Sequence, residues 1–239
     1  MKAAFISDIH GNAVALEAVL LDIEKKGVDK VYVLGDLVFR GPEPKRSLEL
    51  IRSLHTDVIK GNADEWVIRG VREGEVPENA LEMMNRERQW TVEQLDASDL
   101  DYLQNLPAEL TTNVGGFEIA GFHATPDSLF EVILPDAANE TIKTKLMHRT
   151  DAQVYIYAHI HLPYIRYIGG KVIINTGSVG LPFDGMPKAS YGLIEVENGN
   201  LQTSIERVSF DNKKVIDLYK EVSYPNADMM TEIIKDGKI

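Results

Sequence analysis

Two spacings of apolar residues alternate along the first sixty positions. Lys2–Ser7 (KAAFIS), Lys30–Asp36 (KVYVLGD) and Thr56–Asn62 (TDVIKGN) carry short apolar runs of strand length. Between the first two, Val14, Leu16, Val19, Leu20 and Ile23 recur at helical spacing, and Gly27 supplies a C-terminal stop. Between the second and third, Gly41–Leu54 reads as a helix with proline near its start. Strand, helix, strand, helix, strand with short links predicts parallel pairing through right-handed crossovers. The rhythm breaks over 64–108, a Glu- and Arg-rich stretch carrying Trp66 and Trp90, which reads as two or three helices forming a cap. Strands resume at Glu109–Thr125, with Gly115-Gly116 as a hairpin turn. A helix is predicted over 138–149. Further strands are predicted within 152–161, 164–178 and 190–210, and two short helices, split by Pro225, within 212–236. With no internal repeat and no linker rich in Pro, Gly or Ser, the expectation is one domain, 1–239, with the cap inserted in it.

Composition narrows the chemistry. The chain has 239 residues and no cysteine, so any metal must be held by imidazole, carboxylate, amide or water. A formal net charge of −12 argues against a broad grip on nucleic-acid phosphates. The opening MKAAFISDIHG has too short an apolar run for a signal peptide, and no stretch reaches transmembrane length, so a cytoplasmic protein without membrane association is expected.

The polar residues that end the apolar runs are the informative ones. Asp8-x-His10 follows the first strand, Asp36 the second and Asn62 the third; His123 follows 117–122, and His159-x-His161 follows 152–157. Taken singly these are ordinary: Gly-Asp is a common helix cap and Gly-Asn a common turn. Together they put donors at five strand ends, where ligand sites of open α/β sheets lie, and they use four of the six histidines. Two carboxylates, one amide and four imidazoles suit two divalent ions such as Mn, Fe, Zn, Ni or Co, with Mn favoured for activity, better than Ca or Mg. Paired ions about 3.5–4 Å apart can clamp the attacking and leaving oxygens of a phosphoryl transfer and generate a nucleophile from a bridging water. His55 and His148 stand outside the pattern and read as structural.

Six ordered blocks carry a resemblance: SDIHGN (7–12), LGDLVFRGP (34–42), KGNADEW (60–66), FHAT (122–125), AHIH (158–161) and NTGSVGLP (175–182). They resemble the signature blocks of calcineurin-like metallophosphoesterases, most closely the small bacterial and archaeal phosphodiesterase-type group. The resemblance implies a four-layer α/β/β/α sandwich of two mixed sheets. By motif, Asp8, His10 and His161 would hold one metal, Asn62, His123 and His159 the second, and Asp36 would bridge them. Asn62 would also touch substrate phosphate. Arg40 falls where relatives with a Gly-Asp-x-x-x-Arg-Gly block place a phosphate-binding arginine; the alternative is an arginine of a surface loop.

Ala63 departs from the pattern, for the family block usually has histidine there as proton donor or substrate-orienting group. General acid help is worth about 10²–10⁴-fold, so its loss favours substrates with good leaving groups: phosphodiesters, or nucleotide phosphoanhydrides such as dinucleoside polyphosphates. Phe39 replaces an acid common in the protein-phosphatase branch, which weakens that reading. The expected partner is a small phosphorylated molecule, a nucleotide by preference. Arg69, Arg72, Arg86, Arg88 and Phe183 are candidates for shaping its pocket, against the plainer reading of solvated ion pairs and loop packing. A metal-binding scaffold of weak activity is the alternative from another class. Apolar positions from Val215 to Ile234 fit packing on the protein's own body or a homodimer contact.

Overall fold

In the computed structural model, which describes residues 1–238, nine strands form two sheets. Strands β1 (Lys2–Ile6), β2 (Lys30–Val33), β8 (Ala189–Glu197) and β9 (Asn200–Val208) make the first, in the order β2-β1-β8-β9. Strands β3 (Glu109–Val114), β4 (Phe117–Phe122), β5 (Val154–Tyr157), β6 (Tyr164–Ile168) and β7 (Lys171–Asn175) make the second, in the order β3-β4-β5-β7-β6. Both sheets are mixed: β1 pairs parallel with β2 and antiparallel with β8, and β5 runs parallel to both β4 and β7.

Strand alternation sorts side chains into layers. In β1, Ala3 and Phe5 face the second sheet, while Ala4 and Ile6 face helices. In β5, Val154 and Ile156 point inward, and Tyr155 and Tyr157 point to the far side. A strand buried on both faces must be apolar throughout, which is why KAAFI shows no alternation in sequence. Each fully buried side chain of the size of Phe5 or Ile6 contributes about 1.5–3 kcal/mol. Helices α1 (Ala13–Lys25), α2 (Pro44–Ser53), α3 (Asn62–Arg69) and α5 (Ala97–Gln104) supply side chains to the core on the outer face of the first sheet. Helix α6 (Asn139–Leu146) covers the second sheet through Ile142 and Leu146. The result is the expected α/β/β/α order.

Two local expectations need revision. The third strand shrinks to a single parallel bridge between Val58 and Val33. The chain leaves the sheet at once, because the Lys60 N–H turns away to the carbonyl of Pro107. Asn62 therefore opens helix α3 rather than closing a strand. Residues 64–108 are also less separate than a cap, since Val67 and Leu103 are fully buried in the main core, with helix α4 (Glu78–Glu93) outside them. In the C-terminal part, α7 (Asn212–Glu221) and α8 (Ala227–Asp236) pack Val215, Tyr219, Met230, Ile233 and Ile234 against Val14 and Leu181. Among the described residues no helix is long and apolar enough to cross a membrane.

Candidate metal centre

The loops beyond the strand ends are tied to one another before any side chain takes part. Asp8 N–H donates to Gly35 O, His10 N–H to Asp36 O and Gly11 N–H to Leu37 O, all within 3.0 Å. Val179 and Gly180 N–H donate to Ser7 and Asp8 carbonyls, and Ala158 N–H to His123 O. Gly61 is pressed against Asp36: a Cβ there would sit 2.0 Å from Asp36 Oδ1 and 2.6 Å from its backbone nitrogen. The donors also sit in unusual backbone. Among the described residues nine non-glycine residues have positive φ, and six of them are Asp8, His10, Asp36, Arg40, His159 and His161. A left-handed residue costs about 1–2 kcal/mol, so packing and the loop hydrogen bonds must hold this cluster in place.

The predicted donors converge from both sheets. One donor atom each from Asp8, His10, Asp36 and His161 lie within 4.8 Å of one another, all buried. Asn62 Oδ1 lies 2.9 Å from His123 Nε2 and 2.7 Å from His159 Nδ1. Asp36 belongs to both groups. Its Oδ1 accepts from Ala63 N–H at 2.8 Å, while its Oδ2 lies 3.7 Å from His10 Nε2 and 3.4 Å from His123 Nε2. Thus Ala63, which has no acid to offer, still orients Asp36 through its backbone.

The imidazoles are locked in one tautomer. His10, His123 and His161 each donate Nδ1–H to a backbone carbonyl, of Phe39, Leu34 and Leu181 respectively. In the neutral form each then presents a lone pair on Nε2. The Nε2 atoms of His10 and His161 are 3.2 Å apart, and while both are neutral no hydrogen bond can join them. Asp8 Oδ1 is buried without a hydrogen-bond partner, 3.1 Å from His161 Nε2. Facing lone pairs and an orphaned carboxylate oxygen fit a cation, and the donor set suits a borderline divalent ion.

The charges respond accordingly. Burial alone would raise the Asp8 carboxyl, but His161 and His10 outweigh it and hold it well below the usual range. Asp36 is likewise lowered: burial opposes, and His123 and His10 prevail. Against burial, Asp36 raises His123 to about 9, whereas burial and the His123 charge drop His159 to about 4.

Beside the donors lies a cavity of about 140 Å³. Apart from donors and Arg40, its wall is apolar: Phe39, Ala63, Trp66, Met84, Leu181 and Phe183. Phe183 lies flat on His161, ring centroids 4.2 Å apart. None of the four arginines of the 64–108 stretch lines it. Arg69 pairs with Glu65 and Glu75, Arg86 with Glu82, and Arg88 donates to the carbonyls of Val67 and Ile68. His148 pairs with Asp127 away from the site, and His55 lies in a groove beside Lys45 and Arg52. Sequence reasoning passed over Asp64, which accepts from the N–H groups of Asp36, Leu37 and Gly61. An acid at the third helical position, the capping-box position, was its available signal. Met84 and Glu87 were missed for want of any signal: both sit in a helix of mostly polar residues.

Known proteins resemble the chain over the same region. A profile of the calcineurin-like phosphoesterase superfamily domain matches residues 1–199. An uncharacterized protein of Methanocaldococcus jannaschii is 31% identical over 232 residues, 88% of each chain. The phosphodiesterase YfcE of Escherichia coli is 27% identical over 203 residues, 82% of this chain and 88% of its own. Two solved structures match along nearly the whole length. A hypothetical protein from Pyrococcus horikoshii has a TM-score of 0.85 at 25% identity, over 100% of this chain and 99% of that one. A metallophosphoesterase from Sphaerobacter thermophilus has 0.78 at 28% identity, over 99% of both. Since the profile match spans every strand end that carries a donor, the chain belongs to the calcineurin-like phosphoesterase superfamily.

Proposed function

We propose that this metal-dependent phosphoester hydrolase uses two divalent transition-metal ions to cleave phosphodiesters or nucleotide phosphoanhydrides. The observation that carries the reading is Asp36, whose Oδ2 lies between the His10 and His123 nitrogens while Ala63 N–H holds its Oδ1. Asp8, His10 and His161 would hold one ion, Asn62, His123 and His159 the other, with Asp36 shared. When bound, such a pair neutralises phosphoryl charge and brings the pKa of a water near neutrality.

The chain's own residues do the rest. Asn62 Oδ1 faces two imidazoles, which leaves its Nδ2 for a phosphoryl oxygen. Arg40, at the cavity wall, offers a guanidinium to the charge that grows on the phosphoryl group. Phe39, Trp66 and Met84 keep bulk water from the reacting atoms. Ala63 offers no proton to the leaving group, which supports substrates whose leaving group needs none. A space of about 140 Å³ is below the ~300–1,000 Å³ of pockets that engulf a drug-sized ligand. The phosphoryl group therefore enters, and the rest of the substrate stays at the mouth, beside Phe183 and Met84. YfcE, named a phosphodiesterase, supports the diester half of the reading.

The test is turnover of bis(p-nitrophenyl) phosphate by Mn-loaded protein, with metal content measured in parallel. Wild type should turn over, and Asp36→Asn should lose at least about 10²-fold in rate. Wild-type-like turnover in Asp36→Asn would remove the shared-carboxylate mechanism. A protein that binds metal yet hydrolyses no diester or anhydride with any divalent ion would be a metal-binding scaffold instead, a reading to which Ala63 lends some support.

A further inference from the structure

Glu87 is a carboxylate with 0% exposure in α4, a helix whose other acids are mostly at the surface. Its Oε2 lies 3.6 Å from Arg40 Nε. Both atoms are buried without a hydrogen-bond partner, and so is the Tyr224 hydroxyl. Asn226 Nδ2 donates to Glu87 Oε1 at 3.3 Å. Arg40 is approached from the same side: the Tyr219 hydroxyl donates to its carbonyl at 2.7 Å, at a residue held at φ 72°. Beyond the Glu87 ion pair, the guanidinium's one hydrogen-bond contact among the described residues is the Met229 sulfur, 4.0 Å from Nη2, and sulfur is a weak acceptor. A largely buried guanidinium is thus held at its Nε edge and left without oxygen acceptors at its terminal nitrogens. Arginine binds oxyanions with that end.

We propose that Glu87 is a positioning residue for Arg40: α4 supplies the carboxylate, Asn226 and Tyr219 of the C-terminal segment brace it and the Arg40 backbone, and the guanidinium is thereby aimed at a phosphoryl oxygen. The proposal rests on the reading of Arg40 as a phosphate ligand. It brings residues 212–236, beyond the family match at 1–199, into the architecture of the site. Two effects compete in sign. A negative charge behind Arg40 repels phosphate, whereas fixing a long side chain spares the rotamer entropy it would otherwise lose on binding. Positioning dominates here because the charge of Glu87 is spent on the nearer Arg40.

The experiment is calorimetry of inorganic phosphate binding to the Mn-loaded full chain, with KM for bis(p-nitrophenyl) phosphate alongside. Glu87→Ala should weaken phosphate binding on the order of tenfold and raise KM in step, with metal content unchanged. Glu87→Gln, which keeps an acceptor oxygen, should retain most of the affinity. Combining Glu87→Ala with Arg40→Ala should bind no more weakly than Arg40→Ala alone. Unchanged or tighter phosphate binding by Glu87→Ala overturns the proposal, as does an additive double variant. Should Glu87→Ala not fold, Asn226→Ala decides, and wild-type affinity there overturns it. If Arg40→Ala binds phosphate like wild type, this inference falls while the hydrolase reading stands. If wild type binds phosphate through Arg40 but turns over no ester, the hydrolase reading falls and the positioning stands.

Discussion

Gly61 shows how tightly single residues are constrained around Asp36. Replacing a glycine by alanine commonly stabilises a protein by about 0.4–1 kcal/mol through the unfolded chain. At this position the added Cβ meets Asp36 Oδ1 at 2.0 Å and the Asp36 nitrogen at 2.6 Å; the nitrogen is backbone, and the short carboxylate is held in place by Ala63 N–H. The loop bearing Asn62 would have to lift off Asp36, with an overpacking cost of about 1–3 kcal/mol. Gly61→Ala should therefore lower the urea midpoint and reduce bound metal; stability equal to wild type would contradict this account. At this scale the sequence was readable wherever a donor ended an apolar run. Asp8, His10, Asp36, Asn62, His123, His159 and His161 were all picked out so, and the structure brings them together. Glu87 was not readable, because its meaning depends on Arg40, which is remote in sequence. Ala63 was readable for what it lacks, but not for the backbone N–H it gives to Asp36.

Elements were legible where periodicity was long and fragile where it was short. The thirteen-residue helix α1 has its buried face at the predicted positions Val14, Leu16, Val19 and Ile23. The run at 56–62 looked like a strand but keeps one bridge, since three apolar or β-branched residues cannot say whether a neighbour will pair with them. The loop joining α3 to α4 is held by a feature that no pattern reveals. Glu75 accepts from Arg69 at 2.5 and 3.0 Å, from Trp66 Nε1 at 3.0 Å and from Arg72 N–H at 3.0 Å. Arg69 first, against a partial burial penalty, lowers the Glu75 carboxyl to about 2 from the usual 4.5. A depressed carboxyl contributes stability that is present above its unfolded pKa and is lost as pH falls through the folded value. Glu75→Gln should thus cost about 1 kcal/mol at pH 7. The gap between variant and wild type should narrow below about pH 4.5, in paired thermal melts at pH 7 and pH 3. A gap of constant size across that range would show that charge is not what Glu75 contributes.

For the whole molecule, the order of layers was expected from the resemblance, while the assignment of strands to sheets was not open to local reasoning. Strand ends from two sheets, rather than one, meet over the gap between them, so metal binding and the joining of the two halves are coupled. That coupling has a sign that can be measured. In the chelator-treated protein His123 is held up at about 9 by Asp36, against burial. A histidine raised above its unfolded value of about 6.5 gives stability that is complete below that pH and is lost as pH rises through the folded value. Melting temperature should therefore fall between about pH 6.5 and 9. In the Mn-loaded protein the ligand role proposed for this imidazole requires its neutral form, so protons compete with the ion and binding tightens as pH rises. Bound metal stabilises the folded state by mass action, so over the same window the melting temperature should hold or rise. Opposite slopes are expected for one chain under two conditions, with Mn restoring the loaded slope after the chelator is removed. Parallel slopes would mean that His123 does not exchange a proton for a metal, and would detach it from the centre that Asp36 joins.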